Sequence, residues 1–112
     1  MTAAVALGVA VALQYLRPTS PRGAFVGVIH GLTGALGIGL LIIALQGPRR
    51  GDAMGAGSFG IVAAVLFGLA LLFGPFVRVL VRRFPRAAGL VLATHASIAL
   101  TGFVLFLAWA SL

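Results

Sequence analysis

Long apolar runs along the chain are cut by short polar stretches rich in proline, glycine and arginine, and the cuts predict four helices. Met1 to Leu16 is apolar apart from Thr2, Gln14 and Tyr15. It ends at Arg17-Pro18-Thr19-Ser20-Pro21-Arg22, whose prolines cannot continue a helix. Sixteen residues at about 1.5 Å each reach about 24 Å, a short span that needs local bilayer thinning or little tilt. The run lacks the basic leader of a signal peptide, so it is expected to be retained. Gly23 to Gln46 is a second span of ordinary length, closed by Gly47-Pro48-Arg49-Arg50-Gly51-Asp52. A third covers residues 55–73. Gly74-Pro75 is expected to kink or end it, with an extension to Phe84 whose Arg78, Arg82 and Arg83 snorkel toward the interface. Pro85-Arg86 opens the fourth, residues 87–112. Short loops make sequential helices antiparallel neighbours, so the expected fold is all-α: one polytopic membrane domain, a four-transmembrane-helix up-down bundle.

Composition moves the chain from water to lipid. Hydrophobic residues make up 62% and charged residues 8%, with a mean hydropathy of +1.21; too few polar groups are present to cover a soluble globule. No cysteine is present, which excludes disulfides, thiolate metal sites and iron-sulfur clusters built from this chain. The net charge of +7 comes from eight arginines against Asp52 alone. Because the arginines sit at the ends of apolar runs, they point to membrane anchoring and not to nucleic acid. Arg17, Arg22, Arg78, Arg82, Arg83 and Arg86 fall on one side, Arg49 and Arg50 on the other. The expectation is an integral protein of a bacterial inner membrane with both termini on the non-cytoplasmic side.

Two ionisable residues remain inside the spans, His30 and His95, and such residues are costly enough to be functional candidates. His30 follows Arg22 by eight residues and His95 follows Arg86 by nine, about 12 and 13.5 Å into the membrane. The imidazoles are therefore level, on parallel helices that face each other diagonally across an up-down bundle. Two level, opposed imidazoles suit one flat ligand held from both faces, and a haem with two axial histidines has that form. Room for it is expected from the small residues on the histidine faces: Gly27 and Gly34 around His30, Ala99 and Gly102 around His95, with Gly23, Gly37 and Ala88 extending the strips. The same small residues also serve helix packing, and a buried histidine can simply hydrogen-bond across an interface. A ligating imidazole needs an acceptor for its other N–H; Thr33, Thr94, Ser97 and the carbonyls of Val26 and Val91 are candidates. Arg22 and Arg86, with Arg78 third, are the expected partners of haem propionates, beside their anchoring role.

Other signals carry less. Gly34-Ala35-Leu36-Gly37-Ile38-Gly39 has glycines like a nucleotide loop but lies in a span with no preceding strand. Gly51 to Gly57 has no lysine for phosphate, and Arg50-Gly51-Asp52 is a common tripeptide. Phe103 and Phe106 could border a quinone site, though aromatic residues in spans more often pack or face lipid.

The pattern resembles the four-helix membrane cytochromes b, through His30 in "VIHGLTG" and His95 in "ATHASIALTGFVLFLAW". Many members carry two haems and four or more helix histidines. The first and third spans here hold none, which limits the implied cofactor to one bis-histidine haem b. The resemblance implies an electron-transfer subunit, not a stand-alone enzyme, moving single electrons between a partner redox protein and quinone. Its implied partners are the bilayer and either further subunits of a redox complex or copies of itself. A structural or chlorophyll-type pigment-binding accessory subunit is the alternative. A small four-span multidrug exporter is disfavoured, because its first helix would carry a glutamate and none is present.

Overall fold

The computed structural model describes residues 1–16 and 23–112. They form four α-helices: α1 (Thr2–Leu16), α2 (Gly23–Leu45), α3 (Phe59–Arg83) and α4 (Ala88–Ala110), with 3-10 turns at Asp52–Met54 and Pro85–Ala87. No strand occurs among the described residues. The stretches Phe25–Leu45, Phe59–Arg83 and Pro85–Ala110 are long and apolar enough to cross a membrane, whereas α1 is shorter.

Backbone chemistry accounts for the breaks. Gly51 and Gly55 adopt φ of 77° and 70°, a left-handed conformation that side chains resist. Between them the chain folds back, and Ala56 N–H donates to the Gly51 carbonyl at 2.9 Å. At the other loop Phe84 leaves the helical region at φ −130°, ψ 71°, as expected of a residue preceding proline. Gly74-Pro75 does not end α3, which runs on through Arg83. Pro75 removes only the one N–H that would have bonded the Leu71 carbonyl, and the flanking turns hold the helix.

Consecutive helices pack against each other, α3 on α4 most extensively, and α1 touches α4 only slightly. Among the described residues the backbones of α2 and α4 do not meet, nor do those of α1 and α3; each pair lies across a diagonal. Close packing depends on glycine. A Cβ on Gly60 would lie 2.7 Å from Leu45 and 2.9 Å from the Trp109 ring, and one on Gly102 would lie 3.1 Å from Leu66. Gly60 with Trp109, Phe67 with Gly102 and Gly74 with His95 mark levels seven residues apart down the α3–α4 pair. Leu41, Ala63, Phe67 and Trp109 form a buried knot near the Trp109 end, joined by Met1, Ile38 and Leu45. Most of the remaining apolar surface is outward-facing: Leu32, Leu36, Leu72 and Leu90 are each about two-thirds or more exposed, the distribution a lipid solvent permits.

Candidate functional site

His30 on α2 and His95 on α4 come together between the helices, with ring centroids 6.4 Å apart and ring planes at 77°. The two backbones do not touch, so the pair meets only through side chains. Each ring is half-buried and rests on a glycine of the preceding helix. The Cε1 atom of His30 lies 3.0 Å from the point where Gly8 would carry a Cβ, and that of His95 lies 3.9 Å from the equivalent point on Gly74.

The rings differ in their hydrogen bonds. His30 Nδ1 is 2.9 Å from the backbone carbonyl of Ala4 on α1. A carbonyl only accepts, so Nδ1 carries a proton, and in the neutral ring Nε2 is the nitrogen with the free lone pair. None of the expected acceptors, Thr33, Thr94, Ser97 or the Val26 and Val91 carbonyls, bonds either histidine among the described residues. The partner of His30 comes instead from the neighbouring helix, while Ser97 uses its carbonyl to accept from Thr101 Oγ1 at 2.8 Å. Nothing in the sequence singled out Ala4, because α1 carries small residues throughout, at Ala3, Ala4, Ala6, Gly8, Ala10 and Ala12. His95 Nδ1 is buried with no partner among the described residues. Phe73 stacks on that ring at 6.3 Å and 27°, covering it without offering an acceptor.

The other expected site residues are placed as follows. Gly27 and Gly34, a turn to either side of His30, have no heavy atom within 4 Å of a built Cβ, so the helix surface there is open. Ala99 is half-buried one turn beyond His95. Gly102 is buried under Leu66 and Phe67, so its missing side chain is used by the α3–α4 contact. Arg86 is exposed in the Pro85–Ala87 turn. Arg22 lies outside the described residues.

Among the described residues no three His, Cys, Asp or Glu side chains gather. A metal between the histidines would thus have two protein ligands, fewer than the four that a bare zinc site takes. A concave surface lined by Arg49, Arg50, Asp52, Ser58 and Trp109 lies at the far end of the bundle, remote from both imidazoles. There Arg50 sits 5.6 Å over the Trp109 ring, and Arg49 approaches Asp52 at 4.0 Å while largely exposed.

No protein-family model, curated protein or solved structure matches the chain significantly.

Proposed function

We propose that the chain is a four-span membrane electron carrier that holds one b-type haem between His30 and His95. The observation that carries the proposal is the separation of the rings. An imidazole nitrogen bonds a metal such as zinc at about 2 Å. With a ring radius of about 1.2 Å on each side, two imidazoles on opposite faces of one metal have centroids about 6.4 Å apart. The rings stand at 6.4 Å, and the 77° between their planes is compatible with such ligation because each ring can rotate about its bond to the metal.

With two imidazoles as the protein ligands among the described residues, a macrocycle supplies the other four of a six-coordinate iron, which favours a porphyrin over a bare ion. A haem held by His30 and His95 would supply one-electron transfer there, with both protein ligands keeping oxygen from the iron. His30 presents Nε2 as the ligand because Ala4 fixes its proton on Nδ1. Gly27, Gly34 and Ala99 keep the helix surfaces beside the rings low, and Arg22 and Arg86 are the cations available to propionates. The exchange partners in this reading are quinone and a redox subunit, because a haem held by two protein imidazoles passes electrons on without binding substrate itself. Both termini face the non-cytoplasmic side of a bacterial inner membrane. Six arginines against two support that orientation.

A reduced-minus-oxidised absorption spectrum of the purified protein tests the proposal. Low-spin b-type bands are expected, with loss of the six-coordinate signature in His30→Ala and in His95→Ala. Absence of the bands from wild-type protein supplied with haem, or their survival in both variants, would overturn it.

A further inference from the structure

The two histidines rest in matching notches. On α1, Ala4 is buried and Gly8 stands one turn later; Ala4 accepts from His30 Nδ1 at 2.9 Å, and Gly8 lets the ring edge come within 3.0 Å of the point where a Cβ would stand. On α3, Ala70 is buried and Gly74 stands one turn later in the same order, with the ring edge of His95 at 3.9 Å. Alanine and histidine are 26 residues apart in the first hairpin and 95 − 70 = 25 apart in the second. One element is missing from the second notch: His95 Nδ1 is buried and bonds nothing among the described residues.

We infer that the backbone carbonyl of Ala70 is the acceptor for His95 Nδ1–H, so that equivalent alanine carbonyls hold both imidazoles in one tautomer with both Nε2 atoms free. A helical carbonyl has two lone pairs, and the i→i+4 bond from Gly74 N–H uses only one. Glycine four residues on leaves the second lone pair unshielded, as Gly8 does for Ala4. The gap to close is the difference between 3.9 and 3.0 Å in ring approach. Pro75 makes that adjustment easy, because it releases the Leu71 carbonyl and loosens this turn of α3. Phe73 stacks on the ring and has no acceptor to compete. Ala70, Gly74 and Pro75 are thus positioning residues. The hydrogen bond stands on the packing of α3 and α4; its consequence, two imidazoles set to ligate one metal, rests on the haem proposal.

The test is ring ¹⁵N and ¹H NMR of the full chain in lipid nanodiscs without haem, with His30→Gln to assign the signals. His95 is expected neutral, protonated on Nδ1, with that proton shifted downfield like the one on His30. Gly74→Ala is expected to move the His95 Nδ1–H resonance and leave that of His30 in place. A methyl at 74 clears the ring at 3.9 Å but not at the 3.0 Å of the closed notch. A proton on Nε2 of His95, or a His95 signal unmoved by Gly74→Ala, would overturn the inference; if that variant does not fold, the wild-type tautomer alone decides. The haem proposal is judged separately by the absorption spectrum. An Nδ1-protonated His95 without b-type bands keeps the hydrogen bond and removes the haem.

Discussion

His30 on α2 donates its Nδ1 proton to the carbonyl of Ala4 on α1 across 2.9 Å. This bond fixes the register of α1 against α2 and decides which imidazole nitrogen is left as a base. It also gives the short first helix a structural task, because α1 touches α4 only slightly and is otherwise held by its apolar contact with α2.

Gly8→Ala tests that contact. The added methyl would stand 3.0 Å from Cε1 of a rigid ring, so α1 must withdraw or the ring must turn. Overpacking of this kind costs about 1–3 kcal/mol. Thermal unfolding in detergent is expected to shift to lower temperature, and haem retained through purification to fall below wild type. A variant matching wild type in both would mean that the ring does not rest on α1.

Gly27 provides the opposite case. Alanine there meets nothing within 4 Å and gains helix propensity worth up to about 1 kcal/mol in water, so Gly27→Ala is expected to unfold no earlier than wild type. Gly27→Phe is expected to keep the helical circular dichroism while lowering haem content. Unchanged haem content would place the macrocycle elsewhere.

Gly60→Ala should be damaging although it lies away from the histidines. Its methyl would press 2.7 Å from Leu45 and 2.9 Å from Trp109, at the buried knot that ties α2, α3 and α4. A loss of about 1–3 kcal/mol is expected from chemical or thermal unfolding, with the haem spectrum of the folded fraction unchanged. An unaltered midpoint would show that the Trp109 end is loosely packed.

Because the chain has no cysteine, single thiols report topology cleanly. A membrane-impermeant maleimide is expected to label Thr2→Cys and Ala53→Cys from the non-cytoplasmic side, and Phe84→Cys only after permeabilisation. All three positions are exposed. Labelling of Thr2→Cys from the side opposite Ala53→Cys would show that α1 does not span.

Much of the architecture was legible in the order of residues. Proline and glycine mark where backbone hydrogen bonds cannot continue, so the helix boundaries fell close to the polar cuts. At Gly74-Pro75 the sequence left a kink or an end open, and the extension to residue 84 is part of one helix: a proline deletes one bond, and a long helix packed along α4 retains the others. The level of the histidines followed from the rise per residue, and the structure sets the rings side by side. The acceptor of His30 was not legible, because a backbone carbonyl is present in every residue and only packing selects the one on Ala4. Gly102 was ambiguous for a related reason. A missing side chain accommodates either a ligand or a neighbouring helix, and Leu66 and Phe67 occupy the space.

By itself, then, the sequence determined that this chain is helical and apolar enough for lipid, where the helices turn, and that the two histidines follow their basic residues by nearly equal lengths of helix. These follow from local rules: hydrogen-bond capability, hydropathy and a fixed rise per residue. Only the tertiary structure decided which faces meet, which carbonyl fixes the His30 proton, which glycines are filled and which stay open, and that the rings stand 6.4 Å apart. Those depend on helix rotation and crossing, which shape complementarity among small residues sets and which no single helix encodes.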